Sequence, residues 1–117
     1  MAGEKNFENK VKKFLAQEGC WFVKTWSNGV QRSGIPDILA CCNGYFLGIE
    51  VKADKGKPSK LQLYNLREIH ESGGIALLLY PDDFDGLQDI IWNLQEDDLE
   101  HVKRAMIAIN QSHDLYL

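Results

Sequence analysis

Phe7, Val11, Phe14 and Leu15 fall at the spacing of one helical face and Gly19 follows as a stop signal, which predicts a first helix over about 5–18. Trp21 to Trp26 is aromatic and β-branched, the composition of a half-buried pleated strand. The polar stretch from Ser27 to Pro36 reads as a loop. Two apolar runs follow, Asp37 to Cys42 and Tyr45 to Lys52, separated only by Asn43-Gly44, a dipeptide that accepts positive φ at both central positions of a hairpin turn. Ser59 with Gln62 three residues later forms a capping box opening a second helix, which Gly73-Gly74 closes. Ile75 to Tyr80 is a short buried strand. Beyond Pro81, the series Phe84, Leu87, Ile90, Ile91, Leu94 has helical spacing, and Leu99, Val102, Met106, Ile107 and Ile109 suggest another helix. The order is α-β-β-β-α-β followed by helices. Because a hairpin joins the middle strands, the sheet must be mixed, with helices packed against it.

Composition narrows the class. The 117 residues suffice for one domain with a single core, at 44% hydrophobic and 26% charged. No apolar run is long enough to span a bilayer and the first residues have no export signal, so an intracellular protein is expected. Three cysteines, two of them adjacent, make a poor disulfide framework and lack metal-ligand spacing, so they read as small buried hydrophobes in a reducing compartment. The net charge of −4 argues against a nucleic-acid partner until it is divided. Residues 1–80 hold 11 Lys and Arg against 8 Asp and Glu, whereas residues 81–117 hold 2 against 9. A basic body carries an acidic final section.

The hairpin fixes a register. With a two-residue loop, cross-strand partners have numbers summing to 87, which sets Asp37 opposite Glu50, and Lys52 shares the face of Glu50 by strand alternation. Opposed carboxylates repel, and in a buried site one of them is driven to a high pKa unless a cation lies between them. Hard oxygen ligands suit Mg²⁺, or Mn²⁺, rather than zinc. Such a cation beside a lysine suits hydrolysis of a phosphoester.

Gly34-Ile35-Pro36-Asp37, Gly48-Ile49-Glu50-Val51-Lys52 and Ser59-Lys60-Leu61-Gln62 together resemble the PD-(D/E)xK nuclease superfamily. The VRR-NUC group of virus-type replication-repair nucleases is the nearer likeness and the archaeal-type Holliday junction resolvases the more distant. The resemblance runs from about Phe7 to Tyr80. It implies a restriction-endonuclease-like α/β fold, with a mixed central sheet flanked by helices and further C-terminal helices. It also implies metal ligation by Asp37, Glu50 and the Val51 carbonyl, water activation by Lys52, and a water-mediated contact from Glu8 on the first helix. Gln62 matches a glutamine that such nucleases place near the site.

Each position has an ordinary reading as well. Glu8 lies about 75° from the centre of its helix's apolar face and is also a favourable first-turn acid. Gln62 is fully explained as the partner of Ser59. Arg32, Ser33, Lys55, Lys57, Ser59 and Lys60 flank the motif where a DNA backbone would approach. His70, His101 and His113 lack ligand spacing and read as structural or surface residues. The three tryptophans read as core or interface residues sooner than as base-stacking platforms.

The single domain thus divides into a catalytic core over 1–80 and an acidic helical section over 81–117. That section is either a solvated face over an apolar stripe or a surface that packs against another copy, since Phe84, Leu87, Ile90, Ile91 and Leu94 exceed the needs of one helix on a small sheet; as many nucleases of the resembled type are dimers, a homodimer is expected. The expected function is a Mg²⁺-dependent endodeoxyribonuclease acting on branched or structured DNA in replication, repair or recombination, in a cellular or viral setting. No motif for sequence-specific readout is present. The rival readings are a non-catalytic DNA-binding or interaction protein on a nuclease scaffold, and a partner-binding protein whose carboxylate pair is incidental.

Overall fold

The structure, a computed structural model, describes residues 2–26 and 33–117. Helix α1 (Ala2–Gln17) leads into β1 (Trp21–Lys24), β2 (Ile38–Cys42) and β3 (Tyr45–Val51). Then come α2 (Lys60–Glu71), β4 (Ile75–Leu79), a 3-10 turn (Pro81–Asp83), α3 (Phe84–Gln95) and α4 (Leu99–Gln111). The strands lie in the order β1-β2-β3-β4. The first three are antiparallel and β4 runs parallel to β3, so the sheet is mixed as the element order requires.

The hairpin has the expected register, with Cys42 opposite Tyr45 and Ile38 opposite Ile49. Asn43 and Gly44 both take positive φ, 52° and 84°, the condition of the tight turn. The turn is also anchored from outside: Asn43 donates to the Leu94 carbonyl at 2.9 Å and Tyr45 to Asp97 at 2.8 Å.

Strand alternation sorts the side chains onto two faces. Ile38, Ala40, Cys42, Leu47, Ile49, Val51, Leu77 and Leu79 enter the larger core, where Phe7, Val11, Phe14 and Leu15 of α1 meet α3 and α4. The other face carries a smaller core of Leu66, Ala76, Leu78 and Leu115 beneath α2. Leu87, Ile90, Ile91 and Leu94 of α3 are all fully buried within this one chain. At ~1.5–3 kcal/mol for each such side chain, α3 contributes on the scale of a whole domain's net stability. The apolar stripe therefore closes the chain's own core, and the expectation that it serves a second copy is corrected.

Two other expectations change. Cys20 and Cys42 form a disulfide, with Cα atoms 4.6 Å apart, and Cys41 alone is a free, exposed thiol. Trp21 pairs with Cys41, so the preceding residue of β1's approach faces Cys42. Spacing along the sequence does not show that cross-strand encounter. The tryptophans are not core residues: Trp21, Trp26 and Trp92 are all largely exposed. Phe14, a smaller ring, fills the interior against Phe84 and the edge of Trp92.

α4 also closes a sheet border. Asn110 is buried, donates to the Ala76 carbonyl at 2.9 Å and accepts from the Leu78 N–H at 3.1 Å. Its amide thus satisfies the outward-facing backbone of β4 as a neighbouring strand would.

Candidate active site

Asp37 stands at the junction of a turn and β2, and several contacts hold it there. Gly34 has φ +78° and packs so closely on α2 that a Cβ would lie 2.9 Å from the Leu61 backbone, a place open only to glycine. Pro36 follows. Past the end of β1, the Thr25 N–H donates to the Asp37 carbonyl at 2.9 Å and its hydroxyl to the Pro36 carbonyl at 2.8 Å. β1 accordingly ends at Lys24, two residues earlier than the aromatic pattern suggests, because Thr25 and Trp26 leave the ladder while Thr25 grips this turn.

Glu50 projects from β3 at the register position opposite Asp37, near enough for the Asp37 charge to act on its carboxyl. Asp37 Oδ2 accepts the Val51 N–H at 3.0 Å. Lys52 turns back so that Nζ lies 3.4 Å from Glu50 Oε2. The Lys52 N–H bonds the Leu79 carbonyl at 2.9 Å, which ties the end of β3 to β4. Asp37, Glu50 and Lys52 thus converge as the register predicts.

The electrostatics of this cluster are uneven. Glu50 is 1% exposed and its Oε1 has no hydrogen-bond partner among the described residues. Burial first, and the Asp37 charge second, push its carboxyl up to about 8, with Lys52 offsetting only part of the effect. Glu8 is 5% exposed, and its Oε1 lies 3.0 Å from Lys24 Nζ while its Oε2 is 3.4 Å from Lys12. Burial would raise its carboxyl too, but the Lys24 and Lys12 ammoniums outweigh that and hold it below the usual range. Lys24 also reaches Asp37 Oδ1 at 3.5 Å. Burial works against its charge, yet the Glu8 and Asp37 carboxylates together keep its pKa above the ordinary lysine value.

Lys24 is the residue that sequence reasoning missed. Its only sequence signal is its place at the end of a strand that pairs with the segment entering Asp37. It bridges Glu8 and Asp37 as a cation would, and Glu8 meets the cluster through it. Among the described residues no three His, Cys, Asp or Glu side chains stand together as a metal-holding group. The Asp37–Glu50 pair nevertheless fits a hard divalent cation: two oxygen donors, one of them buried and unpartnered, in a place where like charges are pressed together.

The other candidates are more dispersed. Gln62 Oε1 accepts the Ser59 N–H at 2.8 Å and Ser59 Oγ accepts the Gln62 N–H at 3.1 Å, so both serve the helix cap. Ser33, Lys55, Lys57 and Lys60 are exposed beside the cluster in sequence, and Arg32 lies outside the described residues. His101 and His113 pair with Asp89 and Asp83, each at 2.6 Å. No helix among the described residues is long and apolar enough to cross a membrane.

The chain is similar to a solved structure, Hjc from Archaeoglobus fulgidus, a Holliday junction resolvase from an archaeal hyperthermophile. The two are 25% identical with a TM-score of 0.51, and the aligned region covers 65% of this chain and 66% of that one. No curated protein matches. Residues 2–112 match the family described as archaeal Holliday junction resolvase (Hjc). Of the two groups that the motif resembles, it is thus the one judged more distant that is matched, and the match continues past Tyr80 through α3 and α4. The chain belongs to the archaeal Holliday junction resolvase family, and with it to the restriction-endonuclease-like PD-(D/E)xK superfamily.

Proposed function

We propose that this protein is a divalent-metal-dependent endonuclease that hydrolyses phosphodiester bonds in branched DNA, four-way junctions above all. The observation that carries the reading is Glu50: a carboxyl 1% exposed, with one oxygen unpartnered among the described residues, opposite Asp37 and within 3.4 Å of the Lys52 ammonium. A fold keeps such a costly group where function needs it. Asp37, Glu50 and the Val51 carbonyl would hold the cation, Mg²⁺ or Mn²⁺ by their oxygen chemistry. The cation would supply charge stabilisation at the phosphoryl oxygens and a lowered pKa for water.

The chain's own groups do the rest. Lys52 orients the attacking water and donates toward the oxygens on which charge develops. Asp37 is held in position by the Val51 N–H and by Thr25. Lys24 restrains Asp37 from the other side and links it to Glu8, whose contribution is to keep that ammonium in place. Lys55, Lys57 and Lys60, with Arg32, Ser33 and Ser59, take the DNA backbone. Gln62 acts through the helix it caps, and the finer likeness to the VRR-NUC group rests on the 59–62 motif.

A homodimer belongs to the same reading, since two symmetric sites address the two strands that a junction resolvase must cut. The support lies on the sheet face opposite the larger core, where Trp21, Val23 and Phe46 are exposed, and not in the stripe of α3. Acting on cellular or viral DNA, the enzyme would work inside the cell.

The test incubates the protein with four-way, flap, linear and single-stranded substrates, with Mg²⁺, with Mn²⁺ and with chelator. Metal-dependent cutting of the four-way substrate that disappears in Glu50→Ala and Lys52→Ala is expected. Binding without cleavage under every metal condition would favour the non-catalytic scaffold instead.

A further inference from the structure

The 53–58 loop follows Lys52 directly, and a chain of contacts fastens it to the C-terminal helices. Tyr80, the residue after β4, donates its hydroxyl to the Gly56 carbonyl at 2.6 Å. Gly56 folds back with its N–H on the Ala53 carbonyl at 2.9 Å. It also lies beside the stem of Lys52: a Cβ added at Gly56 would meet Lys52 Cδ at an ordinary 3.5 Å. Tyr80 is fixed in turn. Its N–H donates to Asp83 Oδ2 at 2.8 Å, and its ring packs on His113 with centroids 4.2 Å apart. His113 Nε2 lies 2.6 Å from the same Asp83 oxygen.

Lysine carries its charge on a flexible four-carbon stem, and confining that stem costs rotamer entropy. The backbone tie from Lys52 to Leu79 holds only the root of the side chain. Its tip is held by the ion pair with Glu50 at 3.4 Å, and between root and tip the stem runs beside the loop, which is anchored at Gly56. We infer that Tyr80 is a positioning residue for Lys52: its hydroxyl holds Gly56, and with it the loop, beside the lysine stem, and Asp83 with His113 holds Tyr80. The acidic C-terminal section thereby acts on the chemistry without touching substrate.

The inference rests on the nuclease reading for its effect on rate, and its structural half stands independently. In Tyr80→Phe the ring and its packing remain and only the tether is lost. Single-turnover cleavage of a four-way junction should then slow by about 10-fold, while junction affinity measured in chelator stays within about 2-fold. Amide hydrogen exchange at Gly56 should accelerate in Tyr80→Phe, whether or not the protein cuts DNA. A wild-type protein that cuts nothing overturns the nuclease reading alone. Wild-type cleavage with an unchanged Tyr80→Phe rate, a loss of junction affinity in chelator as large as the loss of rate, or unchanged exchange at Gly56 overturns the positioning role.

Discussion

Glu8 and Glu50 are buried to nearly the same degree, 5% and 1% exposed, and meet opposite electrical fates. Glu8 is surrounded by ammoniums from Lys24, Lys12 and, at 3.9 Å, Lys5, and stays ionised. Glu50 faces Asp37 with Lys52 as its one compensating charge among the described residues, and its carboxyl holds a proton near neutral pH. Burial is common to both; the local balance of charge is not. The Glu8 side is neutralised by the chain itself, whereas the Glu50 side would gain most from an added cation, which is where the proposed metal site lies.

Substitution separates the two most sharply in cleavage. Glu50→Gln should lower the single-turnover rate by about 10³-fold, and Glu8→Gln by only about 10-fold, measured on the same junction with Mg²⁺. Equal losses would make Glu8 a direct ligand and erase the distinction.

Stability without metal should move in contrary directions. The Glu50 carboxyl, raised from 4.5 to about 8, keeps its proton in the folded state while the unfolded chain releases it. Folding stability from this group is therefore level below pH 4.5, falls as pH rises to about 8, and is level again above. At pH 7 Glu50→Gln should stabilise the metal-free protein by about 2–3 kcal/mol in urea unfolding. Glu8, with its carboxyl held low, contributes stability present above the unfolded value of 4.5 and lost as pH falls through the folded one. Glu8→Gln should destabilise by about 1–2 kcal/mol at pH 7, because Lys24 keeps only Asp37. A destabilised Glu50→Gln would show that Glu50 is already compensated.

Metal should act on one side only. Mn²⁺ at about 100 times its dissociation constant should stabilise the wild type by about 2.7 kcal/mol, and thermal unfolding of Glu50→Gln should not respond. Glu8→Gln should retain most of the gain. A response in Glu50→Gln equal to the wild type's would place the cation elsewhere.

The part of this site legible in sequence is what local geometry fixes. Asn43-Gly44 sets a register, and the register carries Asp37 to Glu50 and Lys52 to the same face. The capping box of Ser59 and Gln62 was equally legible, since its partners are three residues apart. Lys24 was not, because its importance depends on how α1 lies over β1, a packing angle with no local signature. The Cys20–Cys42 bond eluded spacing rules for a similar reason: a 22-residue separation closes only when β1 pairs with β2. The α3 stripe was visible as apolar but not as internal, since the hydrophobic pattern is silent on which surface receives it.

The buried amide of Asn110 has a consequence for solubility. A strand edge with free N–H and C=O groups is an adhesive border that recruits strands from other chains, and β4 is the most apolar strand of this sheet. Two hydrogen bonds from one side chain on α4 take the place of a neighbouring strand there. An Asn110→Leu chain would keep the helix and its packing yet bare the margin, so loss of that amide should be felt first as a tendency to aggregate.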